Sequence, residues 1–262
     1  MSDRFIALAL EAAFAAGEVH RGRYGTGFET RGKTAATDIV TSCDLEAEEA
    51  IVETISRRFP DHTILCEERG TTGPASEYVW AIDPLDGTSN FQQGLPLFCV
   101  SIALLHHGRP VLGVVYNALK DELYRACAGE GAFCNDRPIR VSSVDTLQRG
   151  LLATGFQQSR EAEVTANLAN MQRFYTEGVL GLRRLGSSAL DLCYVAHGRL
   201  SGYWELFLHT WDFAAGSIIV EEAGGKVSDL RGGPLPMENS SIVASNVLLH
   251  DTMLSVLHGD DR

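Results

Sequence analysis

The stretch Trp80-Ala81-Ile82-Asp83-Pro84-Leu85-Asp86-Gly87-Thr88-Ser89-Asn90-Phe91 sets two carboxylates three positions apart at the end of an apolar run. Tyr78 to Ile82 reads as a buried strand, with Asp83 at its C-terminal end. Pro84 lacks an N–H and has a fixed φ, so the ladder is expected to stop after residue 82 and the chain to turn. Asp83 and Asp86 then face one point across the turn, with the Leu85 carbonyl between them as a third hard oxygen. Such oxygens suit Mg²⁺ or Mn²⁺. Gly87 lets the backbone approach a ligand. Thr88 brings an amide and a hydroxyl to what reads as a helix start, where phosphate is held well. Taken alone, the same residues also fit a structural Asp-Pro turn with Asp86 as a helix cap, so the reading depends on what accompanies them.

Three other segments place acids in similar positions. In Asp38-Ile39-Val40-Thr41-Ser42-Cys43-Asp44 a short strand runs into Asp44, which can cap a helix whose apolar face is Ala47, Ile51, Ile55 and Phe59. In Thr63-Ile64-Leu65-Cys66-Glu67-Glu68 an apolar strand ends on paired glutamates, one able to turn inward while the other is solvated. Trp211-Asp212 opens a small-residue helix ended by Ala223-Gly224-Gly225. Each acid has an ordinary explanation as a cap or a surface residue, yet all fall at the end of an element beside a strand.

With these segments together, the chain strongly resembles the inositol monophosphatase family of metal-dependent phosphomonoesterases, over nearly its whole length. The resemblance rests on residues 38 to 44, Cys66-Glu67-Glu68, Asp83 to Phe91 and Trp211-Asp212-Phe213-Ala214-Ala215-Gly216, in that order and at the family's separations. Arg183 to Leu192 and Gly202-Tyr203-Trp204-Glu205 look like the family's bacterial members. Cys66 departs from the family's usual glycine and is small enough to fit with a modest local adjustment.

The resemblance implies that Glu67, Asp83 and the Leu85 carbonyl hold one Mg²⁺, and that Asp83, Asp86 and Asp212 hold a second, with a looser third ion near Glu67. Thr88, hydrogen-bonded to Asp44, would orient and deprotonate the attacking water. The Gly87 and Thr88 amides would hold phosphate. Glu205 would accept hydrogen bonds from substrate hydroxyls, Ser188 would lie in the alcohol pocket, and Lys33 matches a family lysine near the metal-bound waters. The family also implies a layered α-β-α-β-α sandwich of the sugar phosphatase superfamily, a homodimer, and inhibition by lithium.

Composition agrees. A 262-residue chain that is 45% hydrophobic easily supplies a core. A formal charge of −12 argues against an open electrostatic footprint for nucleic acid or acidic lipid, so phosphate binding must depend on bound cations. The six cysteines form no C-x-x-C pair, and no export signal or membrane-length apolar run appears, which points to a cytoplasmic protein with reduced thiols. Gly27 to Thr34 satisfies the P-loop pattern, but a helix and a turn precede it and a strand follows, which is the wrong context. The eight histidines show no metal-binding spacing and read as surface or packed residues, with His209 the one to watch beside Asp212.

The expected layout is α/β throughout. Residues 1–150 form an antiparallel-rich α+β half that carries most metal ligands. It has helices near 3 to 20 and 44 to 58, and strands near 63 to 66, 78 to 82, 97 to 105, 110 to 116 and 122 to 127. Residues 151–262 form an α/β half that carries Asp212 and the substrate pocket. Here helices near 161 to 176, 187 to 197 and 211 to 223 alternate with strands near 180 to 184, 201 to 206, 225 to 228 and 241 to 245. Glu205 and Ser89-Asn90-Phe91 favour myo-inositol 1-phosphate and similar polyol monophosphates as substrates. Fructose 1,6-bisphosphate, histidinol phosphate and adenosine 3′,5′-bisphosphate are the alternatives, together with a mainly non-catalytic role as a binding partner.

Overall fold

A computed structural model describes residues 2–26, 30–32, 39–156 and 160–259. Lys33 and Asp38 lie outside them, as does most of the segment that matches the P-loop pattern. The chain runs through helix α1 (Ser2–Arg23), strands β1 (Thr30–Gly32) and β2 (Ile39–Thr41), and helix α2 (Ser42–Arg58). Strands β3 (Thr63–Cys66), β4 (Gly70–Thr72) and β5 (Tyr78–Asp86) lead to the short helix α3 (Thr88–Gln92). Next come β6 (Cys99–His106), β7 (Arg109–Asn117), β8 (Glu122–Cys127), β9 (Gly131–Cys134), β10 (Arg137–Pro138) and β11 (Leu151–Thr154). Then follow α4 (Glu161–Thr176), β12 (Gly181–Arg183), α5 (Ser188–Ala196), β13 (Gly202–Leu208) and α6 (Thr210–Glu222). The chain closes with β14 (Gly225–Ser228), β15 (Ser240–Asn246) and α7 (Val247–His258).

Strands β3 to β10 form an eight-stranded sheet in the order β10-β9-β8-β7-β6-β5-β3-β4, antiparallel except where β3 runs parallel to β5. Strands β11 to β15 form a second sheet in the order β12-β11-β13-β15-β14. Helices α1 and α2 cover one face of the first sheet, α5 and α6 lie between the two sheets, and α4 and α7 cover the outer face of the second. The five layers are those expected from the sequence. One apolar cluster runs from Ala81 and Ala103 through Phe213 and Ile218 to Ile242, so α6 is packed on both sides. That explains its composition: Ala214, Ala215, Gly216 and Ser217 are all buried, and small side chains let two sheets approach one helix.

The element at the centre of the sequence argument differs from expectation. Pro84 does not end the strand: β5 continues to Asp86. Pairing with β6 runs to Asp83↔Ser101 and resumes at Asp86↔Cys99, so one extra residue is accommodated in a bulge. A proline is tolerated there because a bulged residue needs no ladder donor. The loop's other polar groups have partners. The Leu85 amide donates to Asp83 Oδ1 at 2.9 Å, the Pro84 carbonyl meets His20 Nε2 at 2.9 Å, and the Thr88 hydroxyl lies 3.1 Å from the Leu85 carbonyl. Asp44 also differs, because α2 begins at Ser42 and Asp44 therefore sits inside its first turn instead of capping it.

Two buried histidines carry a pH dependence: His20 and, between Ser228 and Ser245, His250. His20 and His250 are fully buried, and burial pushes each imidazole down to about 4. The unfolded chain binds these protons near pH 6.5 and the folded chain does not, so neither residue costs stability above that pH. As pH falls from about 6.5 to 4, each is expected to remove up to roughly 3 kcal/mol. Urea unfolding between those pH values measures the loss, and His250→Gln should flatten the profile. A profile left as steep by that change would remove His250 from the account.

Candidate active site

The acids converge on a pocket of about 470 Å³ between the two sheets, lined by Glu67, Asp83, Leu85, Asp86, Gly87, Thr88, Phe156, Ser188, Glu205, Phe207, Leu208, His209, Trp211 and Asp212. Glu67 follows β3, and its amide donates to the Ile82 carbonyl of the parallel neighbour β5 at 3.3 Å, which brings it alongside Asp83. Of the paired glutamates, it is Glu67 that lines the pocket. The Glu68 amide is held by Glu48 Oε2 at 2.9 Å, and Glu48 also pairs with Arg69 at 3.1 Å.

Asp86 Oδ2 accepts from the Ser187 hydroxyl at 2.6 Å and the Ala189 amide at 2.7 Å, which ties the end of β5 to the start of α5. Asp212, in the first turn of α6, accepts from the His209 amide at 2.7 Å through Oδ2. The Thr88 hydroxyl lies 3.2 Å from Asp44 Oδ1, so the threonine–aspartate contact expected from the resemblance is present. Gly87 adopts φ 95°, and a Cβ there would stand 2.8 Å from the Leu97 carbonyl oxygen. The tight turn into α3 thus needs glycine on both counts.

Electrostatics make this cluster unstable by itself. Burial, followed by the Glu67, Asp86 and Asp212 carboxylates, pushes Asp83 well above the usual carboxylate range. Burial, then Glu67 and Asp86, does the same to Asp212. Asp86 rises to about 6, chiefly through burial, although its bonds from Ser187 and Ala189 oppose the rise. Burial is the largest cause at all three aspartates, and neighbouring carboxylates add to it. Hard oxygen donors, buried and crowded by like charge, fit divalent cations, which would relieve both the desolvation and the repulsion.

In the same pocket, Glu205 Oε2 accepts from the Tyr203 hydroxyl in a short hydrogen bond and from Ser188 Oγ at 3.4 Å. Burial pushes Glu205 up to about 7, and the Tyr203 bond restrains the rise. A Cβ on Gly155 would fall 2.0 Å from Glu205 Oε2, so the glycine leaves room for that carboxylate. The rim is aromatic: Arg160 lies 3.7 Å over Phe207, which meets His209 edge-on, and His209 stacks on Trp211 at 4.8 Å. His209 therefore borders the pocket as a stacked ring.

Sequence reasoning missed Ser187, Tyr203, His20 and Phe207 as parts of the site, although it had marked His209 beside Asp212. Tyr203 was accessible in principle, because residues two apart on a strand share a face. Ser187 and His20 were not, since their partners lie 101 and 64 residues away.

A five-layer fold with carboxylates gathered between its sheets defines a class, the phosphatases of the inositol monophosphatase type. The inositol monophosphatase family profile matches residues 1–260, and the chain belongs to that family. It is 44% identical over 254 residues to an inositol-1-monophosphatase of Synechocystis sp., covering 97% of this chain and 88% of that protein. It is 43% identical over 244 residues to Nus factor SuhB of Pasteurella multocida, covering 91% and 90%. The crystal structure of extragenic suppressor protein suhB from Bartonella henselae superposes with a TM-score of 0.93 at 38% identity, covering 98% of this chain and 99% of that one.

Proposed function

We propose that the chain is a Mg²⁺-dependent phosphomonoesterase that hydrolyses myo-inositol 1-phosphate and similar polyol monophosphates to the alcohol and phosphate. The observation that carries this reading is the meeting, in one pocket, of the Glu67–Asp83–Asp86–Asp212 cluster with Glu205. Glu67, Asp83, the Leu85 carbonyl, Asp86 and Asp212 would hold two to three divalent ions, Mn²⁺ being an alternative to Mg²⁺. Bound there, the ions would neutralise the phosphoryl oxygens and make water a better nucleophile.

The remaining work falls to the chain's own groups. Thr88 has one proton and two lone pairs, so its hydroxyl can donate to Asp44 while accepting from the attacking water. Asp44, 1% exposed, is the base toward which the proton moves. The amides of Gly87 and Thr88 face the phosphate. Glu205, held by Tyr203 and Ser188, accepts from substrate hydroxyls and disfavours a second phosphate on the leaving group. The family's homodimer, its lithium sensitivity and a cytoplasmic location belong to the same reading.

A panel of phosphate-release assays tests it: myo-inositol 1-phosphate, fructose 1,6-bisphosphate, histidinol phosphate and adenosine 3′,5′-bisphosphate, each with Mg²⁺ and with chelator. Inositol phosphate should be the preferred substrate, and chelator should abolish turnover. Faster hydrolysis of fructose 1,6-bisphosphate would overturn the role given to Glu205 but leave the metal cluster standing. Thr88→Ala should lower kcat by about 10²–10⁴-fold.

A second reading is kept because a close relative bears the name Nus factor SuhB. In it the chain acts mainly as a binding partner. Asp86→Asn separates the two in cells: a growth defect that tracks lost hydrolysis supports the enzyme, and an unaffected phenotype supports the partner.

A further inference from the structure

At the far end of β5 from the carboxylate pocket, three strands bring together a different set of ligands. His106 ends β6, and His107-Gly108 forms the two-residue turn into β7, with φ of 50° and 72° and the pair His106↔Arg109 closing it. Two successive positive φ values are those of a hairpin turn matched to the twist of the strands. Tyr78 of β5 pairs with His106, and the His107 amide donates to the Glu77 carbonyl at 2.9 Å. Glu77 is thereby fixed beside both imidazoles. His107 Nε2 is 3.3 Å from one Glu77 oxygen, and His106 Nε2 is 3.9 Å from the other. Ligand atoms from all three residues lie within 4.8 Å of one another.

The rings are also restrained. His106 stacks on Tyr78 at 4.4 Å and 11°, and Tyr78 stacks on His62 at 4.9 Å and 13°. The stacking restrains the plane of the His106 ring, and its Nε2 is the atom nearest Glu77, at 3.9 Å. All three side chains reach solvent, which leaves an entry path and room for a water.

We propose that Glu77, His106 and His107 form a second divalent-metal site, suited to Zn²⁺ or a similar borderline transition ion and separate from the carboxylate pocket. Two imidazoles and one carboxylate favour such ions, whereas Mg²⁺ and Mn²⁺ favour all-oxygen sets. Three protein ligands plus water complete a tetrahedron, in which bonds of about 2.0–2.1 Å place ligand atoms roughly 3.3–3.4 Å apart. The 3.3 Å and 3.9 Å separations run to different Glu77 oxygens, and one ligand atom from each residue lies within 4.8 Å of the others, so seating an ion asks the side chains to close by up to about 1.4 Å, within reach of a surface glutamate and a turn histidine. Tyr78 and Asp83 are five positions apart on β5, about 16 Å at the rise of an extended strand. An ion at Glu77 therefore pins the β5–β6–β7 corner without touching the catalytic pocket. The histidines escaped sequence reasoning because their carboxylate partner comes from a different strand, 29 positions from His106 by number.

Equilibrium dialysis of the full chain against Zn²⁺, with excess Mg²⁺ to compete at the carboxylate pocket, tests the site. His107→Asn is the informative variant, because asparagine tolerates the left-handed turn and the hairpin should fold. Wild type should bind one more Zn²⁺ than His107→Asn, and Glu77→Gln should weaken that equivalent at least tenfold. With Cu²⁺ as probe, electron paramagnetic resonance should show coupling to two nitrogen ligands in the wild type and lose one in His107→Asn. Equal stoichiometry and affinity in wild type and both variants, or an unchanged nitrogen pattern, would mean that Glu77 only forms ion pairs with the two rings and that no metal site exists.

Discussion

Asp83→Asn is expected to lower metal-dependent phosphate release by at least about 10³-fold while raising the melting temperature of the metal-free protein. The two effects have one cause. Asp83 is 2% exposed and is flanked by Glu67, Asp86 and Asp212, so its charge is unfavourable until a cation arrives. Its folded carboxyl titrates above the unfolded value, which means the folded state holds the proton more tightly. The residue costs nothing below about pH 4, and its cost grows as pH rises through the folded value. Asparagine keeps the shape and an oxygen to accept from the Leu85 amide, but removes the charge. The stabilisation should therefore be visible in chelator at alkaline pH and vanish near pH 4. Calorimetry at both pH values, alongside the hydrolysis assay, reads both effects. Undiminished hydrolysis would remove Asp83 from the metal set, and a lower melting point in chelator would show that charge crowding does not govern the site.

Gly113→Val should be the most damaging single change far from the chemistry. Gly113 lies in the middle of β7, and a Cβ there would meet the Ala215 carbonyl oxygen at 2.5 Å, Ile218 Cγ2 at 2.8 Å and Ala215 Cα at 3.0 Å. These are atoms of α6, which has sheets on both sides and nowhere to retreat. Overpacking of that kind costs about 1–3 kcal/mol or more, and each kcal/mol lowers the melting point of a protein this size by roughly 2–4 °C. Asp212 is less than one helical turn from Ala215, so a displaced α6 also moves a metal ligand, and a shift of about 1 Å costs on the order of 10²-fold in rate. Gly22→Ala is the control, since nothing lies within 4 Å of its Cβ position in α1 and alanine favours a helix. If Gly113→Val melts and turns over like wild type, α6 is not held as tightly as its contacts imply.

The position of Gly113 illustrates how far local sequence reading reaches. A glycine inside a strand signals a close approach, but the sequence does not say that α6 is what approaches. Strands 63–66, 122–127 and 225–228 and helix 161–176 were legible to the residue, because their apolar runs are bounded by clear breakers. Strands β1, β4, β9, β10 and β11 and helix α7 were not read. The acids at element ends were legible because the chemistry that needs them is written in adjacent residues.

By itself the sequence carried the resemblance to the family, in four short segments at set separations, and through that resemblance the layered fold and the acids gathered around Asp83. The tertiary structure alone decided how those acids are held. Pro84 sits in a bulge because β6 continues to pair beyond it, and the Asp86 carboxylate is shared with Ser187 across the gap between two elements. Glu205 is pushed up to about 7 because other layers exclude water from it. The grouping of Glu77 with His106 and His107 likewise exists only once β5 is paired with β6. Register, burial and contact between distant residues are properties of packing, and no stretch of sequence contains them.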